Sequence, residues 1–351
     1  SLPDRRRRFY AQAATLRVGG DFTPSSRSGQ STSWMVQLLL PCDTGAMSNH
    51  AIDPADEERH EPTNERFWSE SYYFDFHDQD GSLGGYVRIG LYPNLGVTWQ
   101  WACLVGAGRP LVTAIDHSAP LPPPGTLEVH SPVVQADHEC RVPNRCFGVI
   151  LESSAVALDD PAQVYGSMKG ETTPLALDLE WATDGPGGYR FRDMTRYEIS
   201  CRVRGRIRVG DERIEFAGHG QRDHSWGVRD WWAMAYCWNA GRLDDGTRFH
   251  SVAPRTLDGK DMPWAAGYVQ APGEALVPIH SSRASEEIDA NGLPTRGSIE
   301  VGDLHLDLSP LYFAPVLLTD PDGRVAKFTR CLVRFSHADG RRCLGWIEWT
   351  Q

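Results

Sequence analysis

The chain has 351 residues, of which 23% are charged and 40% hydrophobic, so it can bury a sizeable core and is unlike a disordered chain. Its 35 Lys and Arg against 46 Asp and Glu give a net charge of −11, which argues against nucleic acid or an anionic membrane surface as a partner. No apolar stretch approaches the roughly 18 residues of a membrane-spanning helix. No secretory signal follows the N-terminal basic residues, so we expect a cytoplasmic protein without a transmembrane segment.

The cysteines are irregularly spaced and include no Cys-x-x-Cys pair. In a long chain without a signal peptide, such thiols are usually reduced and buried. We predict free thiols at Cys42, Cys103, Cys140, Cys146, Cys201, Cys237, Cys331 and Cys343.

The N-terminal half alternates loops with short strands. Residues 21–33 are rich in Ser, Gly and Thr, residues 50–65 are polar, and residues 119–125 are rich in Pro, so all three predict loops. Residues 72–77 and 86–92 alternate around Asp80-Gly81, which predicts a hairpin.

The clearest strand follows, over residues 197–209, where apolar and polar residues alternate for thirteen positions. After a turn at Gly210-Asp211, Ile214 and Phe216 continue the alternation into a partner strand. Turns at Asp245-Gly246 and Asp339-Gly340 predict two further hairpins, residues 234–243 with 249–252 and residues 329–335 with 343–349.

These elements predict a predominantly antiparallel, all-β protein. Such strands bury one face either as stacked sheets or as a closed barrel, and the pattern does not distinguish the two. The turn-rich residues 182–192 are the best candidate boundary, so we predict an N-terminal domain over residues 1–190 and a C-terminal domain over residues 191–351.

Residues 219–238 combine histidines, aspartates and arginines with four tryptophans in the 13 residues 226–238. If the strand through Phe216 continues without a bulge, even-numbered side chains face inward, which puts Arg222, His224 and Trp226 inside and Asp223 on the opposite face. A bulge at a nearby glycine would change this facing.

His224 is the candidate proton carrier, because burial beside an indole favours a neutral imidazole that can accept or donate a proton. The indoles of Trp226, Trp231 or Trp232 could stabilise a developing carbocation.

Asp223 would be held ionised by Arg222 and Arg229, acting as a base or as an orienter of His224. The structural alternative is an Arg–Asp pair that closes a barrel end over a tryptophan core, and the two interpretations are about equally supported.

A metal ion and a nucleotide cofactor are both disfavoured. His219, His224 and His250 with Asp223 could ligate zinc only if the chain bulges, so we predict no metal site. No phosphate-binding or dinucleotide motif is present, so we predict no organic cofactor.

The segment after the long strand resembles the carotenoid 1,2-hydratase and AttH-like group through the run Arg222-Asp223-His224-Ser225-Trp226-Gly227-x-Arg229, followed by Asp244-Asp245-Gly246-Thr247. This resemblance implies two tandem lipocalin-like β domains, a form similar to that of some fungal intramolecular Diels–Alderases. Residues 72–92 are more similar to uncharacterised bacterial relatives.

In the hydratases, water adds across a terminal isoprenoid double bond, and the motif histidine and tryptophan take part. The resemblance therefore implies roles for His224 and Trp226. The hydratases carry a tyrosine and an aspartate on the next strand, where this chain has Phe249-His250-Ser251-Val252. Either His250 substitutes as the proton donor or the reaction differs.

The hypothesis is a cofactor-independent hydratase, hydro-lyase, isomerase or cyclase acting on a hydrophobic, isoprenoid-like or terpenoid-like small molecule. The predicted catalytic residues are His224, Asp223, Trp226 and His250. The predicted substrate-binding residues are Arg222, Arg229, Trp231, Trp232, Tyr236 and Trp238. The alternative is a non-catalytic lipocalin-like carrier, which would have Asp223 and His224 facing solvent or capping a barrel end.

Overall fold

A computed structural model describes residues 51–185, 187–233, 235–320 and 322–350, and within these ranges the chain is almost entirely antiparallel β. It forms one 11-stranded and one 10-stranded sheet. None of the helices in these ranges has the length and apolar character that a membrane crossing requires. The predicted loop at residues 21–33 and Cys42 lie outside the described residues.

The strands of the first sheet are β1 (Trp68–His77), β2 (Leu83–Tyr92), β3 (Val97–Gly106), β4 (Leu111–Ala119), β5 (Val129–His130), β6 (Val134–Val142), β7 (Cys146–Leu158), β8 (Glu171–Thr183), β9 (Tyr189–Arg190), β10 (Arg196–Val209) and β11 (Glu212–Val228). The strands of the second sheet are β12 (Ala235–Leu243), β13 (Arg248–Arg255), β14 (Ala266–Gln270), β15 (Val277–Pro278), β16 (Ser282–Ile288), β17 (Pro294–Val301), β18 (Leu304–Phe313), β19 (Val316–Thr319), β20 (Val325–Ser336) and β21 (Arg342–Thr350). Short 3₁₀ helices cover Pro54–Glu57, Pro93–Leu95 and Pro161–Tyr165.

The predicted hairpins are confirmed as β1–β2, β10–β11, β12–β13 and β20–β21. In the three Asp-Gly turns the glycines adopt the left-handed backbone that the turns require, with φ of 76° at Gly81, 90° at Gly246 and 96° at Gly340. The loop predicted at residues 119–125 is also confirmed, since no strand lies between β4 and β5.

The first sheet curls until it closes on itself. Its strands follow the order β4-β3-β2-β1-β11-β10-β8-β7-β6-β5, and β4 also pairs with β7, which completes a ring of eight strands. Tyr72, Phe74 and Phe76 of β1 point into the ring, where apolar side chains from the surrounding strands fill the interior. Tyr73, between them, faces the second sheet.

The second sheet is open, and its curl is supported by the bond that Ser282 of β16 donates to Ser251 of β13. Its concave face buries its own apolar core. Its other face packs on the outside of the ring, where Tyr86 donates to the carbonyl of Ala314 and Trp346 donates to the carbonyl of Phe76. The described residues therefore form a closed barrel with a second sheet stacked on its outside. The predicted all-β, two-domain lipocalin-like fold is confirmed.

The chain passes from the first sheet to the second between Val228 and Ala235. The predicted boundary segment, residues 182–192, does not separate the two sheets, because the strands before and after it, β8 and β10, pair with each other in the first sheet. The domain boundary after residue 190 stays a prediction. The cysteines of the described ranges are free thiols, and most of them are buried, as predicted.

Candidate active site

Strand β11 presents opposite faces to the ring interior and to the second sheet. Its pairing with β10 runs without a register shift from Glu212 to Ser225, so no bulge interrupts it. Gly218 and Gly220 serve close packing, because a Cβ at either position would lie 2.0 Å from a carbonyl oxygen of β1. The predicted facing, with Asp223 opposite the even-numbered side chains, is confirmed.

On the interior face, His224 is fully buried and held at both ring nitrogens. Nδ1 lies 2.6 Å from the carbonyl oxygen of Asp56, which can only accept, so Nδ1 carries a hydrogen. Nε2 lies 3.0 Å from Oε1 of Glu70. The ring stacks on Tyr72 at 3.8 Å and lies 4.9 Å from the ring of Trp226, so the predicted imidazole–indole neighbourhood is present.

His60, Glu70 and His224 converge on one point. Glu70 Oε1 also lies 2.8 Å from Nδ1 of His60, whose ring stacks on Trp226 at 3.7 Å. Ligand atoms of the three residues lie within 4.8 Å of one another, so this is the set in the described ranges that could hold a metal ion. This cluster differs from the set considered in the sequence analysis, which included His250, because His250 lies on the second sheet.

Replacing Glu70 with Gln is expected to lower the free energy of unfolding by about 1.5–3 kcal/mol at neutral pH, the range for hydrogen bonds to a charged group. Burial raises the pKa of Glu70, but hydrogen bonds from His224 and His60 outweigh it and leave the pKa below the ordinary 4.5. This stabilisation is present above pH 4.5 and is lost as the pH falls through the folded-state pKa. Urea unfolding across pH 3–7 should show a weaker acid dependence in E70Q than in wild type, and identical profiles would contradict this.

Arg222 also faces the ring interior, where it pairs with Glu57 from the 3₁₀ helix that precedes β1. Nη1 and Nη2 donate to the two carboxylate oxygens at 3.0 and 2.6 Å, and both side chains are buried. The Tyr197 hydroxyl donates to the same carboxylate at 2.6 Å. Burial raises the pKa of Glu57, but the charge of Arg222 and the hydrogen bonds from Arg222, Tyr197 and Asn144 together leave it below the ordinary 4.5.

On the other face of β11, adjacent strands bring five side chains into one row. Cross-strand pairing aligns Asp223 with Tyr73 and Glu198, Tyr73 with Arg88, and Arg88 with Trp101. A matching row on the second sheet aligns Glu348 with Trp238 and with Arg330.

The two rows enclose a cavity of about 30 Å³, room for about two water molecules. The wall mixes charged and aromatic groups. The lining residues are Ser71, Tyr73, Arg88, Trp101, Arg196, Asp223, Ser225, Trp231, Tyr236, Trp238, Phe328, Arg330 and Glu348.

Asp223 has a different environment from the one predicted. Its Oδ2 accepts a bond of 2.9 Å from Arg196, and Arg222, the expected partner, lies on the opposite face with Glu57. Burial raises the pKa of Asp223 to about 7, although the positive charge of Arg196 lowers it. The expectation of a firmly ionised Asp223 is therefore wrong, because loss of solvation outweighs the nearby positive charge.

Behind the cavity, Glu198 and His250 are fully buried. Glu198 Oε1 accepts from Arg196 at 2.6 Å and from the Trp238 indole at 3.0 Å, and His250 Nε2 lies 3.5 Å away. His250 Nδ1 donates to the carbonyl of Asn239 at 2.9 Å, and burial lowers its pKa well below the usual 6.5. His250 is thus neutral at pH 7, with its one ring hydrogen held by a carbonyl.

The structure divides the ten predicted site residues among several places. Four line the cavity: Asp223, Trp231, Tyr236 and Trp238. Three point into the ring: Arg222, His224 and Trp226. Three lie nearby without lining the cavity: Arg229, Trp232 and His250.

Sequence reasoning missed Arg88, Trp101, Arg196, Arg330 and Glu348. Arg88, Arg330 and Glu348 belong to predicted strand segments, but the row exists only because β1 pairs with β11 across about 150 residues of chain. Tyr73 lies in the predicted strand segment 72–77, and only the pairing of β1 with β11 directs it to Asp223.

Comparison with solved structures finds the same fold. A crystal structure of a candidate AttH from Nitrosomonas europaea is 16% identical, with 89% of this chain and 99% of that chain covered and a TM-score of 0.57. Kievitone hydratase from Nectria haematococca is 11% identical, with 80% and 88% covered and a TM-score of 0.53. These likenesses support the fold that the resemblance implied.

Among curated proteins, no sequence matches this chain. One family model, described as a domain of unknown function, DUF7064, matches residues 53–351. That range contains both sheets, the His60–Glu70–His224 cluster and the cavity between the sheets. The chain belongs to the DUF7064 family.

Proposed function

We propose that the protein is an acid–base enzyme that adds water to, or removes it from, a carbon–carbon double bond of a hydrophobic small molecule in the cavity between the sheets. The observation that carries the proposal is Asp223, a buried carboxyl with a pKa of about 7 at an aromatic-walled cavity. A carboxyl of this pKa is half protonated at neutral pH, which suits a general acid. Isomerisation or cyclisation would use the same donor.

The charges of the wall favour one kind of double bond. Arg88, Arg196 and Arg330 all line the cavity, and three guanidiniums would oppose a developing carbocation but stabilise a developing oxyanion. The proposed substrate therefore has its double bond conjugated to a carbonyl. The isoprenoid substrate implied by the resemblance stays a prediction.

The proposed hydration starts when water attacks the β-carbon of the conjugated system. The water proton passes through the Tyr236 hydroxyl to Glu348, to which that hydroxyl already donates at 2.5 Å. Negative charge develops on the carbonyl oxygen facing the guanidiniums, and Asp223 then donates its proton to the α-carbon. One water is consumed and no redox step is needed. Glu348 then releases its proton to solvent and Asp223 takes one up, which restores the starting state.

The cavity needs to open before a substrate of several carbons can enter. Trp231 is the candidate moving part, because it lies on the connection between β11 and β12 and is held by one bond of 2.9 Å to the Tyr92 hydroxyl. Its indole lies between the guanidinium of Arg88 and Phe328. Outward rotation of Trp231 would widen the cavity beside Asp223.

The carrier alternative receives less support. A carrier was expected to have Asp223 and His224 facing solvent or capping a barrel end, and their exposed fractions of 7% and 0% argue against the first of these. It would also need a large preformed hollow, and the cavity beside Asp223 holds only about two waters. The similar fold of kievitone hydratase is compatible with the catalytic proposal.

The test is incubation of the protein with a panel of flat enones, the matching β-hydroxy ketones, and unactivated alkenes, followed by mass spectrometry of the products. Hydration of an enone with incorporation of oxygen from ¹⁸O-labelled water is the expected result. Recovery of every panel member chemically unaltered, from protein that binds it, would favour the carrier and overturn the proposal.

The pH profile of hydration is expected to fall above pH about 7. Asp223 acts in its protonated form, and that form is lost as the pH rises through its pKa of about 7. The reverse reaction, dehydration, needs the carboxylate and should rise through the same pH. The measurement is kcat/KM from pH 5 to 9 in both directions, and a hydration rate that rises with pH would exclude Asp223 as the acid.

A further inference from the structure

Arg88 is a buried cation that has no counter-ion among the residues the structure describes. Four arginines in the described ranges are buried, with exposed fractions of 3% for Arg88, 2% for Arg222 and 7% for both Arg248 and Arg330. Three of them form ion pairs: Arg222 with Glu57, Arg248 with Asp184, and Arg330 with Glu348. Arg88 forms no ion pair with any described residue, and its Nη1 has no hydrogen-bond partner. A lone buried charge is costly, so its retention points to a partner supplied from outside.

The surroundings of Arg88 hold the guanidinium in place without neutralising it. It stacks over the Trp101 indole at 4.3 Å, with the Trp231 indole at 5.9 Å. Its polar contact within the described ranges is a long bond of 3.5 Å that Nη2 donates to the Tyr92 hydroxyl. Gly90 leaves room for it, since a Cβ at that position would lie 2.6 Å from Nη1 of Arg88.

Neighbouring groups add to the positive charge. Arg229 donates to the carbonyls of Val228 and Trp226, and burial together with the nearby Arg196 lowers its pKa to about 10. Asp223 and Glu348 line the same cavity, but they already bind Arg196 and Arg330.

We propose that Arg88 binds an anionic group of the substrate, a carboxylate or an ionised enol, on a flat conjugated molecule that packs beside Trp101 in the space that outward rotation of Trp231 opens. This inference rests on the proposed function for its site and names the substrate class of that site. A guanidinium offers two parallel N–H donors that match a carboxylate, and its indole neighbours suit a planar ligand. The free Nη1 is the donor available to the incoming oxygen.

The test measures ligand binding, so it does not depend on whether the protein catalyses the proposed reaction. Calorimetry compares cinnamate, its neutral counterpart cinnamyl alcohol, acrylate and formate on wild type, R88Q, R88K, G90A and R204Q. Arg204 is the matched control, because it is 76% exposed on the outside of the ring and removing it changes the net charge equally. G90A is the second variant, because its added methyl group displaces the Arg88 guanidinium without removing the charge.

We expect cinnamate to bind about 10- to 100-fold more weakly to R88Q than to wild type, the effect of a hydrogen-bonded charge, with R88K and G90A in between. Cinnamyl alcohol should bind all five proteins alike, and R204Q should match wild type. Equal binding of acid and alcohol to wild type, or unchanged cinnamate binding in R88Q, would overturn the proposal. Formate binding as tightly as cinnamate would assign the site to a small anion and overturn the substrate class.

The two proposals fail separately. Arg88-dependent cinnamate binding without conversion of any panel compound would leave the anion site standing and reject the proposed reaction. Hydration of neutral enones at the same rate by wild type and R88Q, without carboxylate binding, would leave the proposed reaction standing and reject the anion site at Arg88.

Discussion

Asp223→Asn is expected to reduce turnover about 10²- to 10⁴-fold, the usual contribution of a positioned general acid, while the protein stays folded. The amide has the shape of the protonated carboxyl and can still accept a bond from Arg196, but it cannot donate a proton to carbon. The measurement is kcat on the best panel substrate together with the urea-unfolding midpoint. KM should change much less than kcat, because the lost step is chemical.

Asp75→Asn is the matched control. Asp75 is also buried, with a pKa raised well above its usual value by burial, and it lies two residues from Tyr73 on the same strand. It does not line the cavity, and its Oδ1 accepts from the backbone N–H of Gln221 at 2.7 Å. D75N should therefore turn over substrate within a small factor of wild type.

His224→Gln decides between the two faces of β11. If the reaction occurs between the sheets, H224Q loses stability but keeps most of its kcat, because His224 does not line the cavity. If folded H224Q loses activity as strongly as D223N does, the interior histidine predicted from the sequence is the proton carrier and the inter-sheet mechanism is wrong.

Local patterns were enough to predict the strands, the hairpins and the facing of β11. Alternation over residues 197–216 carried through to His224 because β10 and β11 pair without a shift, and side-chain direction in a strand repeats every two residues. The Asp-Gly turns likewise have a local cause, the left-handed glycine.

The partners of those side chains could not be predicted in the same way. Residues 51–65 were correctly predicted to be a polar loop, yet Glu57 and His60 from this loop bind Arg222 and, through Glu70, His224. Loop packing of this kind has no period in the sequence. The acidity of Asp223 was mispredicted for a related reason: sequence proximity to Arg222 suggested a charge partner that strand geometry directs to the other face.

Glu57→Gln is expected to cost about 3–5 kcal/mol of unfolding free energy, the effect of leaving one member of a buried ion pair alone. The amide would replace one of the two bonds to Arg222 but would leave the guanidinium without a counter-charge. The double variant E57L/R222M should be less destabilised than E57Q, because it removes both charges. Urea unfolding at pH 7 measures all three proteins.

The control for E57Q is the same kind of pair on the outer surface of the ring. Arg206 and Asp178 lie 3.0 Å apart but are 61% and 31% exposed, so D178N should cost at most about 1 kcal/mol. Unfolding at acidic pH gives a second comparison. The lowered pKa of Glu57 contributes stability above pH 4.5, and this stability is lost as the pH falls through the folded-state pKa. E57Q should not show this loss. If E57Q and D178N are equally stable, the Glu57–Arg222 pair does not hold the loop against the ring, and Arg222 regains its predicted place as a substrate-binding residue.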